Sequence, residues 1–188
     1  MQAALRELAP AAPPTPAAHP LLALAPGTRP PSPPPPLSPR PAPSARHEQR
    51  VESEWRGATA GGCSNFDTVR NNPQFLLTIK QPTHCLICLA QADPRGMGGA
   101  EAESFAIGLT VCFKGGAKVT KIYTSDWCRD TGSFSYQREV SLDVQLEMRG
   151  SGATTAYTLL PSTFKPGQER SFSIRVWSEQ PCELKTLE

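Results

Sequence analysis

The chain has 188 residues and a net charge of +2, and fifteen of its 21 prolines fall within residues 1–45. Residues 46–188 carry sixteen basic and sixteen acidic side chains. This balance argues against a dedicated nucleic-acid-binding protein, which is usually strongly basic. The longest apolar runs have about five or six residues, whereas a membrane-spanning helix needs about twenty. Residues 46–188 number 143, which is the usual size of one domain.

Residues 1–45 predict a disordered leader. Proline fixes φ and lacks an N–H donor, and this Pro/Ala-rich segment offers few aromatic or β-branched side chains to bury. An alternative interpretation is an adaptor whose PxxP spacings, such as Pro36–Pro39, dock a partner domain. No secretory signal is visible, so the expected location is cytoplasmic.

From residue 73 onward, short runs of alternating apolar and polar residues are separated by turn formers. The turn Lys114–Ala117 predicts a hairpin with a returning strand through Val119, Ile122 and Tyr123. The pattern predicts an all-β antiparallel sandwich or barrel with one core between two sheets. In chain order, the eight predicted strands are Pro73–Lys80, Thr83–Ala90, Ser104–Phe113, Val119–Tyr123, Arg138–Met148, Thr155–Leu160, Ser171–Trp177 and Cys182–Leu187.

Six cysteines occur at positions 63, 85, 88, 112, 128 and 182, and without a secretory signal we expect free thiols. Cys85 and Cys88 have the CxxC spacing of zinc and redox sites, but three residues along a strand separate them onto opposite faces. His84 points away from Cys85, so the two form no nucleophile–base pair. We therefore predict no catalytic, cofactor-binding or metal residue from these groups.

A glycine-rich stretch precedes the predicted strands. Gly61 and Gly62 are free to adopt positive φ, and Asn72-Pro73 favours a turn. The stretch thus predicts a tight loop that places Trp55 over the mouth of the core. Its distinctive residues are Trp55, Gly57, Gly61, Gly62, Cys63, Asn65 and Pro73, the last within Asn72-Pro73-Gln74-Phe75.

A second distinctive stretch, Tyr157–Pro166, contains Pro161, Ser162 and Thr163 and is followed by Phe172–Val176. Together the two stretches resemble calpain domain III, the C2-like β-sandwich of calpain cysteine proteases, over residues 51–188. The likeness is to the C-terminal copy in atypical calpains without EF-hands, such as the seventh calpain. It implies that Trp55 and Cys63 pack, that Gly61 and Gly62 turn, and that a Pro-Ser-Thr turn fixes the entry to the last strands.

The resemblance also implies ligands. In conventional calpains an acidic loop of this domain responds to calcium and phospholipid. The corresponding loop Gln91–Glu103 contributes few carboxylates, and Asp126 and Asp130 form a second small group, whereas a C2 calcium site needs several converging carboxylates. The candidate calcium ligands are Asp93, Glu101, Glu103, Asp126 and Asp130, and solvated loop charge is the alternative. The candidate lipid-binding residues are Lys114, Lys118 and Lys121, and protection of an exposed edge strand is the alternative.

No signature of the papain-like catalytic module is present in the sequence. The resemblance therefore implies a non-catalytic domain that docks to a phospholipid membrane, a protein partner or a protease module, with calcium left open as a ligand. Two alternatives remain. The chain is a C-terminal fragment of an atypical calpain protease, or it is an adaptor that acts through its Pro-rich leader.

Overall fold

A computed structural model describes residues 47–93, 95, 104–123 and 126–187, which belong to the compact unit Pro41–Glu188. These residues form two short 3-10 turns, Gly57–Thr59 and Asp67–Asn71, and otherwise strands joined by loops. The strands are β1 (His47–Trp55), β2 (Gln74–Ile79), β3 (Thr83–Gln91), β4 (Ile107–Phe113), β5 (Cys128–Asp130), β6 (Glu139–Leu146), β7 (Thr155–Thr163), β8 (Arg170–Ser178) and β9 (Cys182–Leu187). The Pro-rich leader lies outside the described residues.

The strands form two antiparallel sheets, with the orders β1-β8-β3-β6 and β5-β4-β7-β2-β9. Alternate residues of both sheets face inward and build one core, which confirms the predicted sandwich. In β6, for example, Leu142, Val144 and Leu146 are buried while the residues between them are exposed. The largest fully buried side chains include Trp55, Phe75, Leu77, Ile87, Tyr157 and Leu159.

The first strand, β1, escapes the sequence prediction. It pairs with β8 along its whole length, from His47 opposite Ser178 to Trp55 opposite Arg170. As a sheet edge with one solvated face it is mostly polar, and only Val51 and Trp55 contribute apolar side chains to the core. The alternation of apolar and polar residues that predicts a strand is therefore weak in β1.

Two predicted elements are wrong. No strand occupies Val119–Tyr123. The Val119 backbone bonds to the Gln74 side chain, and β4 pairs instead with the three-residue β5 and with β7. The Pro-Ser-Thr turn is also wrong, since Pro161–Thr163 lies within β7. Proline is tolerated there because β2 pairs with β7 only as far as Leu159, so its missing N–H removes no bond to β2.

The expectation of free thiols fails for two cysteines. Cys112 and Cys128 form a disulfide between β4 and β5, with their Cα atoms 4.3 Å apart. The register places them directly opposite each other, and opposed residues of antiparallel strands approach to about 4.5 Å. The sequence separation of 16 residues gave no sign of this pairing. Among the described residues, Cys63, Cys85, Cys88 and Cys182 are free.

Candidate functional site: the lysine loop

The glycine-rich stretch folds into a loop fixed by the buried side chain of Asn72. Its amide oxygen accepts a hydrogen bond from the Gly61 N–H at 3.0 Å, and its nitrogen donates to the carbonyls of Gly62 at 2.8 Å and Val69 at 3.0 Å. Gly62 has φ +75°, and a side chain on it would meet Pro166. The loop therefore requires glycine at this turn, as the sequence predicted.

The Trp55 ring is fully buried in the core rather than placed over its mouth. It packs on Phe172 with the ring centroids 4.3 Å apart, and its Nε1–H donates to the Pro161 carbonyl oxygen at 3.3 Å. The two distinctive stretches of the sequence therefore meet in space. Of the other motif residues, Cys63, Ser162 and Thr163 are buried, Pro73 is half-buried, and Gly57 and Asn65 are exposed.

Residues 114–123, which we call the lysine loop, run across the outer face of the five-stranded sheet. The buried Gln74 side chain accepts a hydrogen bond from the Val119 N–H at 2.7 Å and donates one to the Val119 carbonyl at 2.9 Å. The Thr158 hydroxyl donates to the Ala117 carbonyl at 2.9 Å. Beneath the loop, a small apolar cluster joins Val69, Cys112, Val119 and Leu160, with Ile122 and Cys128 packed against it. The loop is thus held from below by two strands.

The three candidate lysines differ in their surroundings. Lys114 is 21% exposed and pairs with Asp126 at 2.5 Å. The hydrogen bond from Lys114, and a second from the Tyr123 N–H, lower the pKa of the Asp126 carboxyl. Lys118 and Lys121 are exposed. The ring of Tyr123, which is 56% exposed, lies 5.4 Å from the Lys114 ammonium and 5.8 Å from that of Lys121. Among the described residues, neither Lys118 nor Lys121 forms an ion pair, and Lys121 lies beside the exposed Tyr123 ring.

The three candidate calcium ligands that the structure describes, Asp93, Asp126 and Asp130, form no common group. Asp93 forms ion pairs with Arg95 and Arg138, which hold the pKa of its carboxyl well below the usual range. Asp126 is bound to Lys114, and the exposed Asp130 accepts a hydrogen bond from the Gly132 N–H. Glu101 and Glu103 lie outside the described residues. Within the described part of the chain, no three His, Cys, Asp or Glu side chains form a group that could hold a metal ion.

The CxxC cysteines and their neighbouring histidine are separated by the pleat of β3. Cys85 is in the core cluster, and burial raises the pKa of its thiol to about 12. His84, on the opposite face, pairs with Asp143 of β6. Cys88 also lies on that opposite face, where burial raises the pKa of its thiol. A thiol that stays protonated is a poor nucleophile, so these groups do not assemble into a Cys–His site.

Sequence reasoning missed Gln74 and Thr158, the two side chains that fix the lysine loop. Both are polar residues inside strands, and nothing in a strand pattern distinguishes a buried loop anchor from a solvated side chain. Tyr123 was placed in a strand that does not form. Its signal, an aromatic residue two positions after Lys121, was present but was assigned to the sheet.

The fold and its sites define a β-sandwich module with an ordered basic loop. The chain matches the family "Calpain large subunit, domain III" over residues 51–177 and belongs to that family. Domain III is a non-catalytic part of calpains. In the part of the chain that the structure describes, no helix is long and apolar enough to cross a membrane.

Three similar proteins show how this domain is distributed. "Calpain-type cysteine protease ADL1" of rice is 29% identical over 152 residues, which is 73% of this chain and 7% of that protein. "Calpain-9" of mouse is 33% identical over 161 residues, 77% of this chain and 22% of that protein. "Serine/threonine-protein kinase 4 homolog B" of Dictyostelium discoideum is 33% identical over 132 residues, 69% of this chain and 11% of that protein. The match thus spans less than a quarter of each of these relatives.

Proposed function

We propose that this domain is a non-catalytic docking module that binds anionic phospholipid surfaces through Lys118, Lys121 and Tyr123. The observation that carries the proposal is the double hydrogen bond between Gln74 and Val119, because it orders the loop that exposes these three side chains. A preordered basic loop loses less conformational entropy on binding than a flexible one. The corresponding surface in a cell is the cytoplasmic leaflet, which carries the anionic lipids.

The proposed affinity is modest. Each lysine close to an anionic membrane contributes about 1 kcal/mol, and a tyrosine ring suits the headgroup region because it is apolar with a polar end. Lys114 contributes little, because its charge is balanced by Asp126. Binding of this strength suits a module that works together with a second attachment in the same protein.

The proposed binding does not require calcium. Asp93 and Asp126 are engaged by basic side chains, and a cation would have to displace those partners. This separates the proposal from the alternative of a calcium sensor, which needs carboxylates that are free to converge.

The test is co-sedimentation of the full chain with vesicles of phosphatidylserine and phosphatidylcholine, with and without calcium. Changing Lys118→Gln and Lys121→Gln together removes about 2 kcal/mol, or about 30-fold in affinity. The matched control changes two other exposed lysines, Lys80→Gln and Lys165→Gln. The proposal fails if both pairs weaken binding equally, if pelleting requires calcium, or if pure phosphatidylcholine vesicles bind as well.

A second proposal concerns the protein to which the domain belongs. The similarity to two calpain proteases and to a kinase, each much longer than the match, supports a regulatory module attached to a catalytic domain. On this proposal the chain acts as part of a larger enzyme such as an atypical calpain. The mass of the endogenous protein on an immunoblot tests it: a species far above 20.3 kDa supports it, and a species of 20.3 kDa alone contradicts it.

A further inference from the structure

The Cys112–Cys128 disulfide lies directly beneath the lysine loop. Both cysteines contact the apolar cluster that includes Val119 and Ile122 of the loop. The disulfide also closes the chain segment that contains the loop, since it joins the end of β4 to the strand that follows. The disulfide therefore lies where its opening or closure can change the order of the lysine loop.

Besides the disulfide, the described segment that returns from the loop is held by edge pairing with β4, by the Lys114–Asp126 ion pair and by the Trp127 side chain. β5 is a three-residue edge strand, and among the described strands it pairs with β4 alone. The neighbouring backbone adds a hydrogen bond from the Phe113 N–H to the Trp127 carbonyl at 2.9 Å, and the Trp127 ring packs on Tyr157. The inner core between the sheets does not include either cysteine. Opening the disulfide is therefore expected to loosen the loop while leaving the sandwich folded.

We propose that Cys112 and Cys128 form a reversible redox-modification site whose closure orders the lysine loop. Its effect on membrane binding rests on the proposed function, whereas its effect on loop order does not. A chain expected in the cytoplasm carries this disulfide, and disulfides in that compartment are usually transient and redox-sensing.

Reduction and oxidation of this pair proceed by thiol–disulfide exchange with a small thiol such as glutathione, which supplies or accepts the two electrons. In reduction, a glutathione thiolate attacks Cys128 Sγ, the half-buried sulfur, and the S–S electron pair leaves with Cys112 Sγ, which takes a proton. A second glutathione thiolate attacks the glutathione sulfur of the mixed disulfide, giving oxidised glutathione and releasing Cys128 as a thiolate, which takes a proton. Two electrons and two protons are transferred to the protein, and oxidation runs the same steps backwards.

The other thiols do not compete readily for this exchange. Burial raises the pKa of the Cys85, Cys88 and Cys182 thiols, which keeps them protonated, and Cys63 is buried. A protonated or inaccessible thiol exchanges slowly. The exchange is thereby directed to the pair under the loop.

The first experiment equilibrates the full chain in glutathione buffers, from mostly reduced to mostly oxidised, and then alkylates it and measures the mass of each cysteine peptide. The expected result is that Cys112 and Cys128 pass together from the thiol to the disulfide state within this range. A pair that remains disulfide-bonded in the most reducing buffer, or remains reduced in the most oxidising one, overturns the proposal.

The second experiment measures loop order by limited trypsin cleavage after Lys118 and Lys121, since both are exposed cleavage sites within the loop. The reduced protein should be cut at these two sites on the order of ten times faster, while cleavage after Lys80 is unchanged. The far-UV circular dichroism spectrum should be the same in both states. Equal cleavage at Lys118 and Lys121 in both states overturns the proposal.

Two variants complete the design. Cys182→Ser keeps the disulfide and should retain the redox dependence of cleavage, whereas Cys112→Ser with Cys128→Ser should be cut rapidly under both conditions. Vesicle binding is then measured with oxidised and reduced wild-type protein. Redox-dependent cleavage without vesicle binding in either state would refute the membrane proposal and support the redox site. Vesicle binding without redox-dependent cleavage would refute the redox site and support the membrane proposal.

Discussion

The side-chain amide of Gln74 forms two hydrogen bonds with the peptide groups on either side of the Val119 α-carbon, 45 residues further along the chain. An amide side chain is the simplest group that can donate and accept at once. Gln74 begins β2, so this pair attaches the lysine loop to the five-stranded sheet.

Replacing Gln74 by methionine should destabilise the protein and free the lysine loop. Methionine has a similar shape but offers no N–H donor and only a weak acceptor, so the buried Val119 donor and acceptor lose their partners, each at a cost of about 1–3 kcal/mol. Urea denaturation gives the free energy of unfolding, and hydrogen exchange reports the Val119 amide. The exposed Gln81→Met is the control. A Gln74 variant as stable as wild type, with Val119 still protected, contradicts this prediction.

Gly62→Ala should destabilise the protein more than Gly57→Ala. Both glycines have positive φ, +75° and +51°, where a non-glycine residue costs about 1–2 kcal/mol. Only at Gly62 would the added Cβ also meet Pro166, 2.7 Å from its nitrogen, and such overpacking adds about 1–3 kcal/mol. Comparing the two free energies of unfolding isolates the contact with Pro166. Equal losses would show that the backbone relaxes around the new methyl group.

The substitution Trp55→Phe should lower the stability of the protein by more than the loss of buried ring area alone would predict. The Pro161 carbonyl would lose the indole N–H that donates to it across 106 residues of chain, which costs about 1–3 kcal/mol in a buried setting. The matched control is Trp177→Phe, at a half-buried position of β8. Thermal unfolding of the two variants checks the difference, and a smaller loss at residue 55 than at residue 177 would contradict it.

The ion pair between Lys114 and Asp126 should make stability depend on pH in acid. Since the folded-state pKa of Asp126 is lowered, its contribution is fully present above the unfolded value of about 3.9 and is lost as pH falls through the folded pKa. Wild type should therefore exceed Asp126→Asn in stability at pH 6, and this difference should shrink below pH 4. When Lys114 is replaced by Met, the stability difference caused by Asp126→Asn should depend much less on pH. An unchanged pH dependence in that variant would mean that another group causes it.

Much of the fold could be predicted because most strands have a clear inward face. β6 and β8 alternate along their whole length, and Gly62 adopts the positive φ that its glycine-rich stretch predicts. β1 could not be predicted, since a polar edge strand gains its stability from its partner, here β8, rather than from its own apolar residues.

The site was less predictable because its order depends on contacts between distant residues. The three lysines were visible as a cluster, but which of them is neutralised depends on Asp126, twelve residues beyond Lys114. The disulfide partner of Cys112 depends on the β4–β5 register. Neither relationship leaves a local pattern in the sequence.

The lysine loop is held by contacts with Gln74, Thr158 and the Cys112–Cys128 disulfide, which lie outside it, whereas its charge comes from the solvent-facing residues 118 and 121. Shape and specificity are therefore encoded at different positions. On the proposed function, substitutions at the two exposed positions would change what the surface recognises without changing the backbone. In this respect the loop is a natural display site for engineered recognition, with its framework already supplied by the sheet.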